Sequence, residues 1–392
     1  MERYAYVIVG GGMAADAAIS GIRRRDKSGP VMVISDEPFP PYQRPPLSKK
    51  LWLDMRLEEV WLPSWRRQPE VSLMLGDAVK AIDAVNRTVT TASGQMVGYD
   101  QLLIATGGKP RTLSGRFERV FYPGHMGEHI RLWQRLREPS RVLVVGGGFI
   151  GSEMTAVLSS QGHQVTWITL ESRPFDGFFP RRLRERVLEE YRSHGVSIHG
   201  GQEVTGFEET GDEIVAVTAR GQRFSANVAV LGLGFVANDD LARPLGLTND
   251  QGVVVDRNLA TRDPHIWAAG DVAVLGPDGR RMMHEDHAVT QGRMAGENMA
   301  GAKKAYQHLP FYYSDLYQFG YEAIGECSTA YEMVEDWVAP GEEGVVYYLK
   351  DGFVVGVLNW NVWDGVDQAR ELIVSGTKWE REALIGRIRN AD

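Results

Sequence analysis

Cysteine is almost absent from the sequence. Cys327 is the single cysteine among 392 residues. A disulfide within the chain, a redox centre built on a cysteine pair and a cysteine-rich metal site are therefore excluded, because each needs at least two cysteines. The lone thiol remains available as a nucleophile. The segment 323–327 around it, however, favours a half-buried strand in which the cysteine packs as a small hydrophobe.

A long apolar run is also lacking. No segment reaches the roughly 18 consecutive apolar residues that a membrane-spanning helix needs. Strand-like sequence begins as early as Tyr4, which leaves no room for a signal or transit peptide. We therefore expect no membrane span and a cytoplasmic or matrix-like location.

The sequence has no excess of basic residues. Its formal net charge is −8, and the segment 308–392 has 15 acidic residues against 6 basic ones. An acidic surface repels nucleic acid, so we expect no DNA or RNA partner. Glycine, in contrast, is abundant: 44 of 392 residues are glycine, which is above the average of about 7%. Several close approaches of the backbone would explain this excess.

Two segments share the order strand, glycine turn and helix. One apolar run ends at Val9 before Gly10-Gly11-Gly12-Met13-Ala14-Ala15, and another ends at Val145 before Gly146-Gly147-Gly148-Phe149-Ile150-Gly151. In this G-x-G-x-x-G/A pattern the glycines let backbone N–H groups approach a pyrophosphate, and the helix N-terminus favours its negative charge. Neither run alternates with polar residues, as expected of parallel strands that are covered on both faces.

An acidic residue follows the second strand of each copy. Asp36 and Glu37 follow the first, and Glu171 follows the second, each about 20 residues beyond its glycine turn, where an acid accepts hydrogen bonds from a ribose. Two copies predict two dinucleotides in one chain, as in a flavoprotein that accepts hydride from a nicotinamide nucleotide. An acid repels a 2′-phosphate, so Glu171 favours NADH, while the nearby Arg173 leaves NADPH open.

These segments together resemble a known superfamily. The first turn, Ala105-Thr106-Gly107-Gly108, the second turn and Ala269-Gly270-Asp271 follow one another as in the two-dinucleotide-binding flavoproteins, the pyridine nucleotide-disulfide oxidoreductases. Within that superfamily the segment 41–49 resembles NADH-dependent ferredoxin reductases and, more closely, the apoptosis-inducing factor family. Further segments similar to the latter family are 148–153, 287–289 with 295–299, 313–316 with 320–325, and 357–361. The resemblance extends over nearly the whole chain.

The resemblance implies an α/β protein with two Rossmann-like dinucleotide-binding domains and a C-terminal α+β domain. The NAD-binding domain is inserted in the FAD-binding domain. We expect the FAD-binding domain at 1–110 and 236–307, the NAD-binding domain at 111–235 and the C-terminal domain at 308–392. Linker-like glycine-rich stretches at 107–110 and 232–235 agree with these boundaries.

The resemblance also implies which residues contact the cofactors. For FAD they are Gly10, Gly11, Gly12, Met13 and Ala14 at the pyrophosphate, Asp36 and Glu37 at the adenosine ribose, Val79 at the adenine, Arg44 and Lys49 towards the flavin, Thr106 and Gly107 through their backbone, Asp271 at the ribityl chain, and His284 and Tyr313 near the ring. For the nicotinamide nucleotide they are Gly148, Phe149, Ile150, Gly151, Glu171 and Gly234, assisted by Glu322. No metal site is expected.

The resemblance implies that Lys49 and Glu153 form the catalytic pair. They lie 104 residues apart, and in the family such a pair meets near flavin N5, where it fixes the approach of the nicotinamide. The residues by themselves favour simpler interpretations. In these, Lys49 is a solvent-exposed lysine after a turn, and Glu153 is an acid in the first turn of a helix that serves the helix dipole.

We therefore expect an FAD-dependent NAD(P)H oxidoreductase that prefers NADH and passes electrons to a small molecule, a quinone, oxygen or an electron-transfer protein. A first alternative is the ferredoxin or rubredoxin reductase of an oxygenase chain. Its acidic partner would need a basic surface, although a solvated helix face equally explains Arg181, Arg182, Arg184 and Arg186. A second alternative is a redox-gated NADH-sensing binding protein, either monomeric or a redox-dependent homodimer.

Overall fold

The computed structural model describes residues 1–279 and 281–389. The strands of the first third are β1 Glu2–Val9, β2 Val31–Ser35, β3 Val71–Leu75, β4 Val79–Asp83, β5 Thr88–Thr91, β6 Met96–Ile104, β7 Gly108–Pro110 and β8 Val120–Phe121. Those that follow are β9 Arg141–Val145, β10 Gln164–Ile168, β11 Ser197–His199, β12 Val204–Thr210, β13 Glu213–Thr218, β14 Arg223–Ala226, β15 Val228–Leu231 and β16 Phe235–Ala237. The remaining strands are β17 Val253–Val255, β18 Ile266–Ala268, β19 Ala273–Leu275, β20 Phe311–Leu316, β21 Phe319–Gly325, β22 Glu332–Ala339, β23 Glu343–Lys350 and β24 Phe353–Trp360.

The helices lie between some of these strands and after the last one. The α-helices are α1 Met13–Arg25, α2 Ser64–Arg67, α3 Met126–Arg135, α4 Phe149–Ser160, α5 Arg181–Ser193, α6 Glu285–Met299, α7 Val366–Val374 and α8 Arg381–Leu384. Short 3₁₀ segments lie at Pro45–Ser48, Lys50–Trp52, Leu57–Val60 and Arg243–Leu245.

The chain forms two compact units, each assembled from separate segments. Unit 1 consists of Met1–Pro46, Arg56–Lys109 and Phe235–His308, and unit 2 of Leu47–Met55, Pro110–Gly234 and Leu309–Asp392. The short segment Leu47–Met55 thus belongs with unit 2. The division into three functional domains stays a prediction.

Unit 1 is built on a mixed sheet in the order β3-β2-β1-β6-β5-β4, with β18 joined to β6. Strand β1 runs parallel to β2 and β6, whereas β5 is antiparallel to both of its neighbours. All five residues of β2 are buried, as in a strand covered on both faces. Val9 pairs with both Ile34 and Ile104, so the carboxyl ends of these three strands meet at one edge.

Helices α1 and α6 of unit 1 pack against each other with unusual closeness. A Cβ placed on Gly292 would lie 2.2 Å from the carbonyl oxygen of Ala14, and one on Gly296 would lie 2.2 Å from that of Ala18. Only glycine therefore fits at both positions. The contacts advance in the same direction along both helices, so α1 and α6 run parallel with their positive N-termini at the same end.

Unit 2 contains the second Rossmann-like sheet. Its order is β11-β10-β9-β15-β8, and all neighbours are parallel. Val145 pairs with both Ile168 and Leu231, which brings the carboxyl ends of three strands together as in unit 1. The expected α/β fold with two Rossmann-like sheets is therefore confirmed.

Unit 2 also contains two antiparallel sheets. One is the three-stranded β12-β13-β14, and the other is the five-stranded β20-β21-β24-β23-β22 near the C-terminus. A single hydrophobic core joins this last sheet to the parallel one, because Tyr321 and Trp360 pack in the same cluster as Val144 and Met154. The expected C-terminal α+β fold is therefore confirmed, with α7 packed on the sheet.

The strand expected around Cys327 ends earlier than the sequence predicted. Strand β21 stops at Gly325, whose φ of +71° takes the backbone out of the extended conformation. Cys327 lies beyond the strand, and its thiol contacts the carbonyl oxygens of Ile324 and Val357. Burial raises the pKa of the Cys327 thiol to about 12. The thiol therefore stays protonated at neutral pH, which fits the expected structural role.

Candidate functional site

The first glycine turn joins β1 to α1 in unit 1. Gly10 has a φ of +115°, and a Cβ at this position would lie 2.2 Å from the carbonyl oxygen of Ala105, so only glycine fits. Gly12 is different, because the nearest atom to its Cβ position is Arg44 Nε at 3.8 Å. No side chain caps α1. The backbone donors of the first turn therefore face an open space of the kind that a pyrophosphate fills.

The second glycine turn repeats this geometry in unit 2. Gly146 has a φ of +120°, and its Cβ position lies 2.3 Å from the carbonyl oxygen of Gly232. A Cβ on Gly151 would lie only 2.0 Å from the carbonyl oxygen of Gly146. A Cβ on Gly148, in contrast, would have no atom within 4 Å. Helix α4 also has no side-chain cap. Both turns thus have a packed first glycine and an open third one.

The acids after the second strands occupy different surroundings. Asp36 is exposed. Glu37 accepts hydrogen bonds from Arg44 Nη2 and from the Tyr42 hydroxyl, both at 2.7 Å. Glu171 is exposed, and its Oε2 lies 2.6 Å from the Cβ position of Gly147. The Glu171 carboxylate therefore lies directly against the second glycine turn.

The remaining residues expected to hold FAD lie around the same edge of unit 1. Burial raises the pKa of Asp271 to about 6, against the opposing effect of Arg44 and Arg281. Thr106 donates to the carbonyl oxygen of Asn238 at 2.6 Å, and Gly107 has open space within 4 Å of its Cβ position. A carboxylate held among polar partners beside open backbone is suited to the hydroxyl-rich chain of a dinucleotide.

The N-terminus of α6 contributes a neutral histidine. His284 is the residue that precedes α6, and burial lowers its pKa to about 4. Helices α1 and α6 run parallel, so their positive N-termini face the same side of unit 1, where each favours negative charge. Val79, expected at the adenine, is buried in β4. These features fit FAD as the group bound by unit 1.

Lys49 and Glu153 form a buried ion pair within unit 2. Lys49 Nζ lies 3.1 Å from Glu153 Oε1, and their side chains are 7% and 4% exposed. The two interpretations that the sequence alone favoured, an exposed lysine and a dipole-serving acid, are therefore wrong. Burial raises the pKa of Glu153, while the Lys49 ammonium opposes this shift.

Strand β20 completes the surroundings of this pair. Lys49 Nζ lies 3.9 Å from the centre of the Tyr313 ring and 3.4 Å from its carbonyl oxygen. Ser314 Oγ donates to Glu153 Oε1 at 2.7 Å, and Ser48 Oγ donates to Glu153 Oε2 at 2.5 Å. Sequence reasoning missed both serines, although Ser48 directly precedes Lys49 and Ser314 directly follows Tyr313.

The other residues expected to hold the nicotinamide nucleotide are mostly open to solvent. Phe149 is 38% exposed, and its ring lies 5.3 Å from that of Tyr312. Gly234 is exposed with a φ of +85°. Ile150 packs at the edge of the core. Glu322 is half-buried, and burial raises its pKa.

A groove begins beside Glu171 and continues along α5. It has a volume of about 610 Å³ and its polar lining includes Arg173, Arg181, Arg192 and Glu185. Arg173 Nη1 lies 3.4 Å from Glu185 Oε1, which offsets part of its charge. Three guanidinium groups in one groove suit a phosphate group.

Two further observations concern metals and membranes. Across residues 1–279 and 281–389 there is no group of three His, Cys, Asp or Glu side chains arranged to hold a metal ion. No helix in this part of the chain combines the length and apolar character that crossing a bilayer requires.

The two open glycine turns, the acids beside them and the buried charges around Asp271 define the class of protein. It is an FAD-dependent NAD(P)H oxidoreductase. The pyridine nucleotide-disulphide oxidoreductase family model matches residues 4–292, and the model of the C-terminal region of mitochondrion-associated apoptosis-inducing factor matches residues 295–343. The chain therefore belongs to the pyridine nucleotide-disulphide oxidoreductase family.

Relatives with established names support the same assignment. Apoptosis-inducing factor 1, mitochondrial, of Dictyostelium discoideum is 32% identical over 95% of this chain and 79% of its own length. A Drosophila melanogaster protein named after the same factor is 29% identical over 96% of this chain, which spans 64% of that relative. In the covalent complex of putidaredoxin reductase with putidaredoxin, one chain matches with a TM-score of 0.87 and 27% identity, over 97% of this chain and 95% of its own.

Proposed function

We propose that the protein oxidises NADH and delivers the electrons, through FAD, to an acceptor. The observation that carries this proposal is the pair of matched glycine turns, each with an uncapped helix and an open third glycine. FAD, when bound, supplies a ring that accepts a hydride from nicotinamide and releases electrons to an acceptor. The first turn and Asp271 would hold FAD, and the second turn with Glu171 would hold the nicotinamide nucleotide.

Lys49 and Glu153 would fix the approach of the nicotinamide. Their ion pair is buried and tied to β20, so neither side chain is free to reorient. A buried and fixed pair of opposite charges would hold a reactant in one orientation, which is a contribution of position and not of proton transfer. His284, neutral at physiological pH, would leave the positive end of α6 to stabilise negative charge on the reduced cofactor.

The first experiment tests whether the protein binds FAD and whether NADH reduces it. The purified holoprotein should be yellow, release FAD on denaturation and lose its visible absorbance when mixed with NADH in the absence of oxygen. A colourless protein that cannot be reconstituted with FAD would contradict the proposal.

NADH is the proposed donor in preference to NADPH. The exposed Glu171 carboxylate against the second turn supports this preference, since it repels a 2′-phosphate. The arginines of the adjacent groove act in the opposite direction, so we expect measurable but weaker use of NADPH. Flavin-reduction rates with the two nucleotides at equal concentration compare them directly.

An electron-transfer protein is the second candidate acceptor. The similarity to the reductase in the putidaredoxin complex supports it. The arginines suggested as its docking surface are only partly available, because Arg184 is buried against Asp176 and Arg186 is paired with Glu190 and Glu342. Steady-state assays with ferredoxin, rubredoxin, quinones and oxygen under one set of conditions would rank the acceptors. A rate with ferredoxin or rubredoxin below that with every quinone would reject this candidate.

We also propose a cytoplasmic location, and a monomer or a redox-dependent homodimer as the oligomeric state. A redox-gated binding role is the alternative to the enzymatic function. The curated relatives named above are mitochondrial by name, so the location needs a fractionation experiment on the native cell. Light scattering with and without NADH tests the dimer. A change in mass together with slow turnover would favour the binding role over the enzymatic one.

A further inference from the structure

The Glu153 carboxylate is enclosed by two serines, one at each oxygen. Ser48 Oγ donates to Oε2 at 2.5 Å, and Ser314 Oγ donates to Oε1 at 2.7 Å. The two serines come from distant segments, since Ser48 precedes Lys49 and Ser314 lies on β20. All three residues are buried: Ser314 is 0% exposed, and Ser48 and Glu153 as whole residues are each 3% exposed.

We propose that Ser48 and Ser314 are positioning residues, whose hydroxyl groups keep Glu153 ionised and directed at Lys49. This inference rests on the proposed function, in which the ion pair positions the nicotinamide. Burial favours the neutral carboxyl group, whereas hydrogen bonds donated to the charged form favour the carboxylate. Both oxygens already accept from serines, so a proton on Glu153 would require one serine hydroxyl to turn from donor to acceptor.

Other charged groups near the pair do not replace the serines. Asp315 Oδ2 lies 3.9 Å from Lys49 Nζ, so it competes with Glu153 for the ammonium group. The hydroxyls of Tyr191 and Tyr321 also interact electrostatically with Glu153, and burial raises the pKa of each, which keeps both neutral. Lys49 thus supplies positive charge, and the serines supply directed hydrogen bonds.

The strand geometry explains why Ser314 reaches the carboxylate. Side chains alternate between the two faces of β20, so Tyr313 and Asp315 share one face and Ser314 points to the other. Ser314 pairs with Tyr321 on β21, which fixes its register. Lys49 contacts Tyr313 and Glu153 contacts Ser314, so one strand holds both members of the pair.

The test measures the protonation of Glu153 in the holoenzyme. Infrared difference spectra as a function of pH, with Glu153→Gln as the reference, give the midpoint at which the Glu153 carboxyl band appears. The variants are Ser48→Ala, Ser314→Ala and Ser48→Thr, which retains the hydroxyl. Ser159→Ala is the matched control, because Ser159 is a buried serine on the same helix as Glu153 and bonds to Tyr317.

Each alanine variant should raise this midpoint by about one pH unit. The rate of flavin reduction by NADH should fall at low pH, and the midpoint of this fall should rise by the same amount in each alanine variant. Ser48→Thr and Ser159→Ala should keep both wild-type midpoints. Unmoved midpoints in both alanine variants would overturn the serine role. A wild-type flavin that NADH does not reduce would instead overturn the proposed function, and the infrared midpoints would still test the serines.

Discussion

Variants of the buried Lys49–Glu153 pair should differ in stability while all of them lose activity. Lys49→Met or Glu153→Gln alone leaves one charge in a site where both side chains are at most 7% exposed. Removing one partner of such a pair costs about 3–5 kcal/mol of unfolding free energy, whereas removing both together is close to neutral. We therefore expect the double variant to be more stable than either single variant, and all three to reduce flavin with NADH at least about tenfold more slowly than wild type.

Urea denaturation of the holoprotein, followed by tryptophan fluorescence, gives the four free energies of the double-mutant cycle. Rapid mixing with NADH in the absence of oxygen gives the rates of flavin reduction. Arg223 and Glu208 provide the control cycle, because they form a 2.7 Å pair that is more than half exposed and should show far weaker coupling. If the losses from the two single variants simply add in the double variant, the two charges do not act as a pair. Wild-type reduction rates in the single variants would remove the pair from the mechanism.

Further predictions concern the glycine turn, the nucleotide preference and the dependence on pH. Gly10→Ala should lower the ratio of FAD to protein, because the new Cβ would lie 2.2 Å from a carbonyl oxygen. Gly94→Ala is the control, since Gly94 also has a positive φ but no atom lies within 4 Å of its Cβ position, and it should leave the ratio unchanged. Equal ratios in the two variants would contradict the assigned turn. Glu171→Ala should reduce the preference for NADH over NADPH by about tenfold in kcat/KM, and an unaltered preference would show that this acid does not select the nucleotide. Burial lowers the pKa of His284 and of His287 from 6.5 to about 4. As the pH falls from 6.5 to about 4, the unfolded chain takes up protons that the native state does not, so the unfolding free energy should decrease. His287→Asn should weaken this decrease in pH-dependent urea titrations, and a profile identical to wild type would refute the reasoning.

Local sequence patterns predicted the backbone geometry of the two glycine turns well. Gly10 and Gly146 precede helices and follow apolar strands, and both have the positive φ that the pattern requires. Such predictions succeed because a strand, a tight turn and a helix N-terminus are specified by neighbours in the chain. The strand expected at Cys327 failed for a local reason too, since the positive φ of Gly325 ends β21 two residues earlier.

Local sequence patterns could not predict which side chains surround Glu153. Ser48 lies 105 residues from Glu153 along the chain, and Ser314 lies 161 residues away. Nothing in the spacing of these residues indicates that their hydroxyl groups bond to one carboxylate. The resemblance named Lys49 and Glu153 as a pair, but only the burial of both side chains decided against the simpler interpretations of each.

The sequence by itself determined the α/β class, the two glycine turns and the acids that follow the second strands. These features depend on periodicity and on backbone conformations that few residues besides glycine adopt, and both are properties of short segments. Tertiary structure alone decided that Leu47–Met55 joins unit 2, that α1 and α6 run parallel, and that two serines meet Glu153. The physical reason is that these contacts depend on how strands and helices from distant parts of the chain pack, and packing is set by the whole core at once.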